Sequence, residues 1–110
     1  MRLNRTDLDT VTIFSFEDDD QIRDPEFMRM AVDALQKENR INILFDFSNI
    51  HYISSSVLGF LITAYRELEA RGGRLKLVNV QPSVANVLEI TRLNRVLEMF
   101  NDKETAIRSF

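Results

Sequence analysis

A chain of 110 residues, 45% apolar and 28% charged, has the size and composition of one soluble domain with a single core. It contains no cysteine, which excludes disulfides, thiol catalysis and thiolate metal sites and fits a reducing compartment. A formal charge of −3 without a local Lys/Arg cluster leaves no footprint for nucleic acid; residues 1–5 lack the apolar stretch of a signal peptide, and no run approaches the ~20 residues of a membrane span, so a cytoplasmic protein without membrane contact is expected.

Residues 2–6 suggest a short edge strand, followed by turn residues Asp7-Leu8-Asp9-Thr10. Val11-Thr12-Ile13-Phe14-Ser15-Phe16 is rich in β-branched and aromatic side chains and reads as a strand, so the two form a hairpin. Four adjacent carboxylates, Glu17-Asp18-Asp19-Asp20, read as a loop. Asp24-Pro25-Glu26 is a helix start, with Asp as N-cap, Pro in the first turn and an acid near the positive end of the dipole. Phe27, Ala31 and Leu35, flanked by Met30 and Ala34, mark the apolar side of that helix, which fades into residues 36–40. Met28, Met30 and Met99 read as core filler.

Ile41-Asn42-Ile43-Leu44-Phe45-Asp46-Phe47 is the strongest strand, apolar on both faces as a covered central strand must be. Ser48-Asn49 breaks it. After Ser54-Ser55-Ser56 a helix carries Leu58, Leu61, Ile62, Tyr65 and Leu68, and Arg71-Gly72-Gly73 stops it. Leu75, Leu77, Val78 and Val80 give another strand, and Pro82 opens a helix with Val84, Val87, Leu88 and Thr91. Val96-Leu97-Glu98-Met99-Phe100 predicts a last strand, and Asn101 with Glu104 a capping box before a final short helix. The order β-β-α-β-α-β-α-β-α predicts one α/β domain over residues 1–110. Its sheet is mixed but mostly parallel, with about five strands, the first an antiparallel edge, and about four helices.

Three places could carry chemistry. Asp46 at a strand end, with the acidic run upstream, is the pattern of a Mg²⁺-dependent phospho-receiver. Those carboxylates lie closer in sequence than such domains place them, however, and no Lys ends the last strand; a solvated loop and a turn-bonding Asp are the better explanation. His51 is the single histidine, and no G-x-S-x-G elbow surrounds any serine, so it receives no role. The serine triplet is explained on spacing alone by a helix N-cap. A helix N-terminus also tolerates an anion, so a phosphate there alters a docking surface without refolding the domain.

The run from Ile43 to Gly59 resembles the core motif of STAS domains, the family of bacterial anti-sigma-factor antagonists. That motif is an apolar strand ending in D-L-S, a short connection, then D-S-[ST]-G-L-G opening a helix. Laid on it, Ser55 falls at the phosphorylated serine, Ser56 on the following Ser/Thr, and Leu58-Gly59 on the L-G pair. Asp20, Gly72-Gly73-Arg74-Leu75 and Thr91-Arg92-Leu93 extend the resemblance to nearly the whole chain. The sequence departs from the pattern at Ser54, where the family has Asp, and at Val57, where it has Gly. The glycine usual after the second strand is absent too.

The resemblance implies a non-enzymatic regulator without a cofactor of its own. Unmodified, it binds an anti-sigma factor that is also an ATP-using serine kinase. Phosphorylation at Ser55 ends the interaction, and a metal-dependent serine phosphatase restores it. The implied contact surface comprises Asp20, Ile22, Ser54, Ser56, Val57 and Leu58, on a monomer or weak homodimer. Two alternatives stay open: a STAS scaffold that is never phosphorylated, and a receiver using Asp46.

Overall fold

A computed structural model describes residues 4–110, so Arg2 and Leu3 of the expected first strand lie outside it. Strand β1, Asn4–Leu8, pairs antiparallel with β2, Val11–Ser15. Asp7 and Leu8 pair with Thr12 and Val11, so the turn shrinks to Asp9 and Thr10, with Asp9 at φ 57°, where a short polar side chain is tolerated. Strands β3 (Asn42–Asp46), β4 (Arg74–Val78) and β5 (Met99–Phe100) join β2 in parallel, in the order β1-β2-β3-β4-β5.

Chain order and sheet order coincide, so right-handed crossovers place the connecting helices on one face. These helices are α1 (Pro25–Lys37), α2 (Ser55–Ala70) and α3 (Pro82–Ile90). Met28, Val32 and Leu35 of α1, Phe60, Leu61 and Leu68 of α2, and Val84 and Leu88 of α3 share one core with Phe14, Phe45, Leu75 and Leu77 of the sheet. Phe45 stacks on Phe47 at 6.0 Å and meets the edge of Phe16 at 5.6 Å. The opposite face is closed by α4 (Lys103–Arg108), whose Ala106 seals Val11, Ile13, Leu44 and Val78. Lys76 of β4 points to that face and is buried: its Nζ donates to the Ser109 carbonyl at 2.8 Å and hydroxyl at 2.9 Å, beside the Phe110 ring.

The α/β architecture, the antiparallel edge and the parallel remainder agree with the sequence reading; several local expectations do not. In α1 the buried stripe is Met28, Val32 and Leu35, whereas Met30 is 63% exposed. Two apolar stripes overlap in this segment, and packing on the sheet takes the bulkier one. The last strand begins only at Met99, because the Val96 and Leu97 N–H groups both turn back to the Leu93 carbonyl. The cap of α4 is Asp102, not Asn101: its carboxylate accepts the Thr105 N–H at 2.9 Å and the Thr105 hydroxyl at 2.8 Å. No helix among the described residues is long and apolar enough to cross a membrane.

Candidate functional site

Strands β2, β3 and β4 run parallel, so the loops leaving their carboxyl ends gather at one edge of the sheet. The loop after β2 contains a one-turn 3-10 helix, Asp19–Ile22, capped by the Asp18 carboxylate, which accepts the Gln21 N–H at 3.2 Å. The loop after β3 leads into α2, where Ser54 is the N-cap and its hydroxyl accepts the Val57 N–H at 3.2 Å. The loop after β4 leads into α3, and the Gln81 amide reaches back to the Ser48 carbonyl at 2.7 Å.

Ser55 occupies the first position of α2, exposed, and its hydroxyl has no partner among the described residues. Ser56, next to it, is exposed as well. Two recesses flank the cluster. One, of about 280 Å³, is lined by Asp19, Asp20, Ile22, Arg23, Tyr52 and Ser54. The other, of about 260 Å³, lies between α1 and α2 and is lined by Pro25, Glu26, Arg29, Ser56 and Phe60. The Arg29 guanidinium sits 5.0 Å above the Phe60 ring and is tied to Glu67 at 3.0 Å, so this side of the groove is held in place.

The expected contact residues divide by burial. Asp20 is exposed and paired with Arg23, Ser54 and Leu58 are partly exposed, and Ser56 is open. Ile22 and Val57 are correctives to the expectation: both are buried, 1% and 0% exposed, so they support the surface from below and Ile22 floors the first recess. Val57 is pulled inward because a helix entering the core at this angle must bury its third residue along with Phe60, Leu61 and Ala64.

Within the acidic run nothing in the sequence singles out Asp19. Its Oδ1 accepts the backbone N–H of His51 at 2.6 Å and that of Tyr52 at 3.3 Å, and its Oδ2 lies 3.9 Å from His51 Nδ1. Of the four adjacent carboxylates it is this one that fastens the loop after β2 to the segment carrying the serines. No local pattern signals a contact across 32 residues of chain. Tyr52, 70% exposed, presents its ring beside this clasp.

Asp46 does not join the acidic run. Burial alone would raise its carboxyl, but the N–H of Ser48 at 3.0 Å and the Lys103 ammonium at 3.1 Å hold it below the usual carboxylate range. Among the described residues no three His, Cys, Asp or Glu side chains converge as metal ligands. The receiver alternative therefore lacks the carboxylate cluster on which it depends.

A family model described as STAS domain matches residues 6–106. The chain is 24% identical over 83 residues to the anti-sigma F factor antagonist of Paenibacillus polymyxa, a match spanning 74% of this chain and 71% of the relative. Its fold superposes with a TM-score of 0.82 on an anti-sigma-factor antagonist (STAS) domain protein from Planctomyces limnophilus, 21% identical, covering 97% of this chain and 96% of the other. It also resembles the Bacillus cell fate determinant SpoIIAA in its phosphorylated form, with a TM-score of 0.73 at 22% identity and 98% of each chain covered.

Proposed function

The chain belongs to the STAS domain family, and from that premise we propose that it is an anti-sigma-factor antagonist whose hold on its partner is switched at Ser55. The observation that carries this reading is the division of labour in the serine triplet. Ser54 is committed to capping α2, while Ser55 stands exposed and unpartnered between two recesses that Ser54 and Ser56 line. A relative named as an anti-sigma F factor antagonist and a structural neighbour solved in a phosphorylated form support the same reading.

In this proposal the unmodified protein binds an anti-sigma factor that is an ATP-using serine kinase, and the kinase transfers the γ-phosphoryl group of ATP to the Ser55 hydroxyl. The phosphoserine brings up to two negative charges to a surface that already carries Asp18, Asp19, Asp20 and Glu26. Docked against the partner those charges lose solvent, and a hundredfold weakening requires only ~2.7 kcal/mol, within the range of a desolvated like-charge contact. The exposed N–H groups of the first turn of α2 accommodate the phosphate in the free domain, so the fold survives the change. A serine phosphatase reverses the step. The domain acts as a binding module in the cytoplasm, as a monomer or weak homodimer, and performs no catalysis of its own.

The test is a pull-down from the native cell with the wild type, Ser55→Ala and Ser55→Asp. Ser55→Ala is expected to retain a serine kinase persistently and Ser55→Asp to lose it, with the thermal midpoint of both near that of the wild type. Equal retention by Ser55→Asp would replace the switch with a constitutive scaffold.

A further inference from the structure

Residues 51–54, which deliver the serines to α2, lie in neither strand nor helix. Their backbone polar groups must find partners elsewhere. His51 is held at both of its backbone groups by side chains from two different elements, the loop after β2 and the first turn of α3. Its N–H donates to Asp19 Oδ1 at 2.6 Å, from the loop after β2. Its carbonyl accepts the Ser83 hydroxyl at 2.7 Å, from the second residue of α3, the helix that follows β4. The central loop of the carboxyl edge is thus clamped at a single residue by its neighbours on either side.

We infer that Ser83 is a positioning residue for the modification of Ser55, acting through the His51 carbonyl with Asp19 as the opposing pin. The inference rests on the switch proposed above and assigns a role to a serine outside the STAS motif. Phosphoryl transfer requires the Ser55 hydroxyl in line with the γ-phosphorus of ATP, and small misplacements of a reacting group cost rate. Ile50 and Ile53, 0% and 5% exposed, anchor the segment in the core on both sides of His51. Removing a pin therefore loosens the path between the anchors and leaves the fold intact. Ser83 makes one hydrogen bond to this segment and Asp19 accepts two of its N–H groups, but each pin is one side chain, so each is removable by one substitution.

The test uses the full chain as wild type, Ser83→Ala, Ser83→Thr and Asp19→Ala, with ATP and the kinase retained in the pull-down. Ser83→Ala is expected to lower kcat for Ser55 phosphorylation about fivefold at unchanged KM, the scale of one hydroxyl hydrogen bond. Backbone amide exchange at His51 and Tyr52 in the isolated protein should rise by a similar factor. Ser83→Thr, which keeps the donor, should restore both, and Asp19→Ala, which removes the acceptor, should lower kcat in the same sense. An unchanged kcat in Ser83→Ala, or a fall that Ser83→Thr does not rescue, overturns the positioning role while leaving the switch standing. A wild type that the kinase does not phosphorylate at Ser55 overturns the switch itself, and this inference with it.

Discussion

Lys103 Nζ lies 3.1 Å from Asp46 Oδ2, joining the first residue of α4 to the last residue of β3. The other carboxylate oxygen accepts the Ser48 N–H at 3.0 Å, so the same side chain also holds the turn that begins the serine-bearing loop. Burial opposes the charge, and these two donors more than offset it, leaving the group below its ordinary value of 3.8. A carboxyl depressed on folding contributes stability that is present above its unfolded value and disappears as pH falls through its folded one. Asp46→Asn is expected to cost about 1–2 kcal/mol at neutral pH. It should also flatten the loss of stability below pH 3.8. Urea unfolding at neutral pH and at about pH 2.5 checks both; an unchanged acid limb would assign the sensitivity to other carboxylates.

The serine triplet separates capping from switching by position. Ser54→Ala removes the acceptor of the Val57 N–H and should destabilise the domain by about 1 kcal/mol. Ser55→Ala touches no hydrogen bond and should stay within about 0.5 kcal/mol of the wild type. Chemical denaturation of the two variants side by side gives the comparison. A larger loss at Ser55 than at Ser54 would make Ser55 the structural residue of the pair.

Two glycines predict opposite outcomes. A Cβ on Gly73 would sit 2.1 Å from the Ile41 carbonyl oxygen, where the chain enters β4 beside β3, so Gly73→Ala must push backbone aside. A loss of about 2–3 kcal/mol is expected. Gly59 lies mid-helix with nothing within 4 Å of a Cβ, and Gly59→Ala should stabilise α2 by about 0.5–1 kcal/mol. Thermal melts decide both signs. If Gly59→Ala also weakens partner capture in a protein made more stable, the partner covers this face of α2.

The elements that were legible in the sequence carry their own signals. Asp24-Pro25 announces a helix start, the run from Ile41 to Phe47 a covered strand, and Gly72, at φ 85°, a helix stop. What was hidden depends on contacts distant in sequence. Lys76 alternates with Leu75 and Leu77 along β4 and turns to the opposite face, where α4, 27 residues later at Lys103, closes over it. The one-residue error in the phase of α1 arises because periodicity gives the width of an apolar stripe, while the sheet selects which edge of it is buried. The serine cluster was visible as a motif. The clasp that holds it, Asp19 to His51 and Ser83 to His51, joins two loops and the start of α3, far apart in the chain, and leaves no local trace.

In the proposed switch, Ser55 carries a phosphate that governs partner binding. Peptide mass spectrometry on the protein recovered from its native cell under several growth conditions, paired with capture of the unmodified form, tests it most directly. A phosphoserine mapped to Ser55 in some conditions is expected, with a serine kinase retained only by the unmodified protein. A chain unmodified at Ser55 in every condition, yet still holding its partner, would contradict the switch and reduce the serine triplet to the cap of α2.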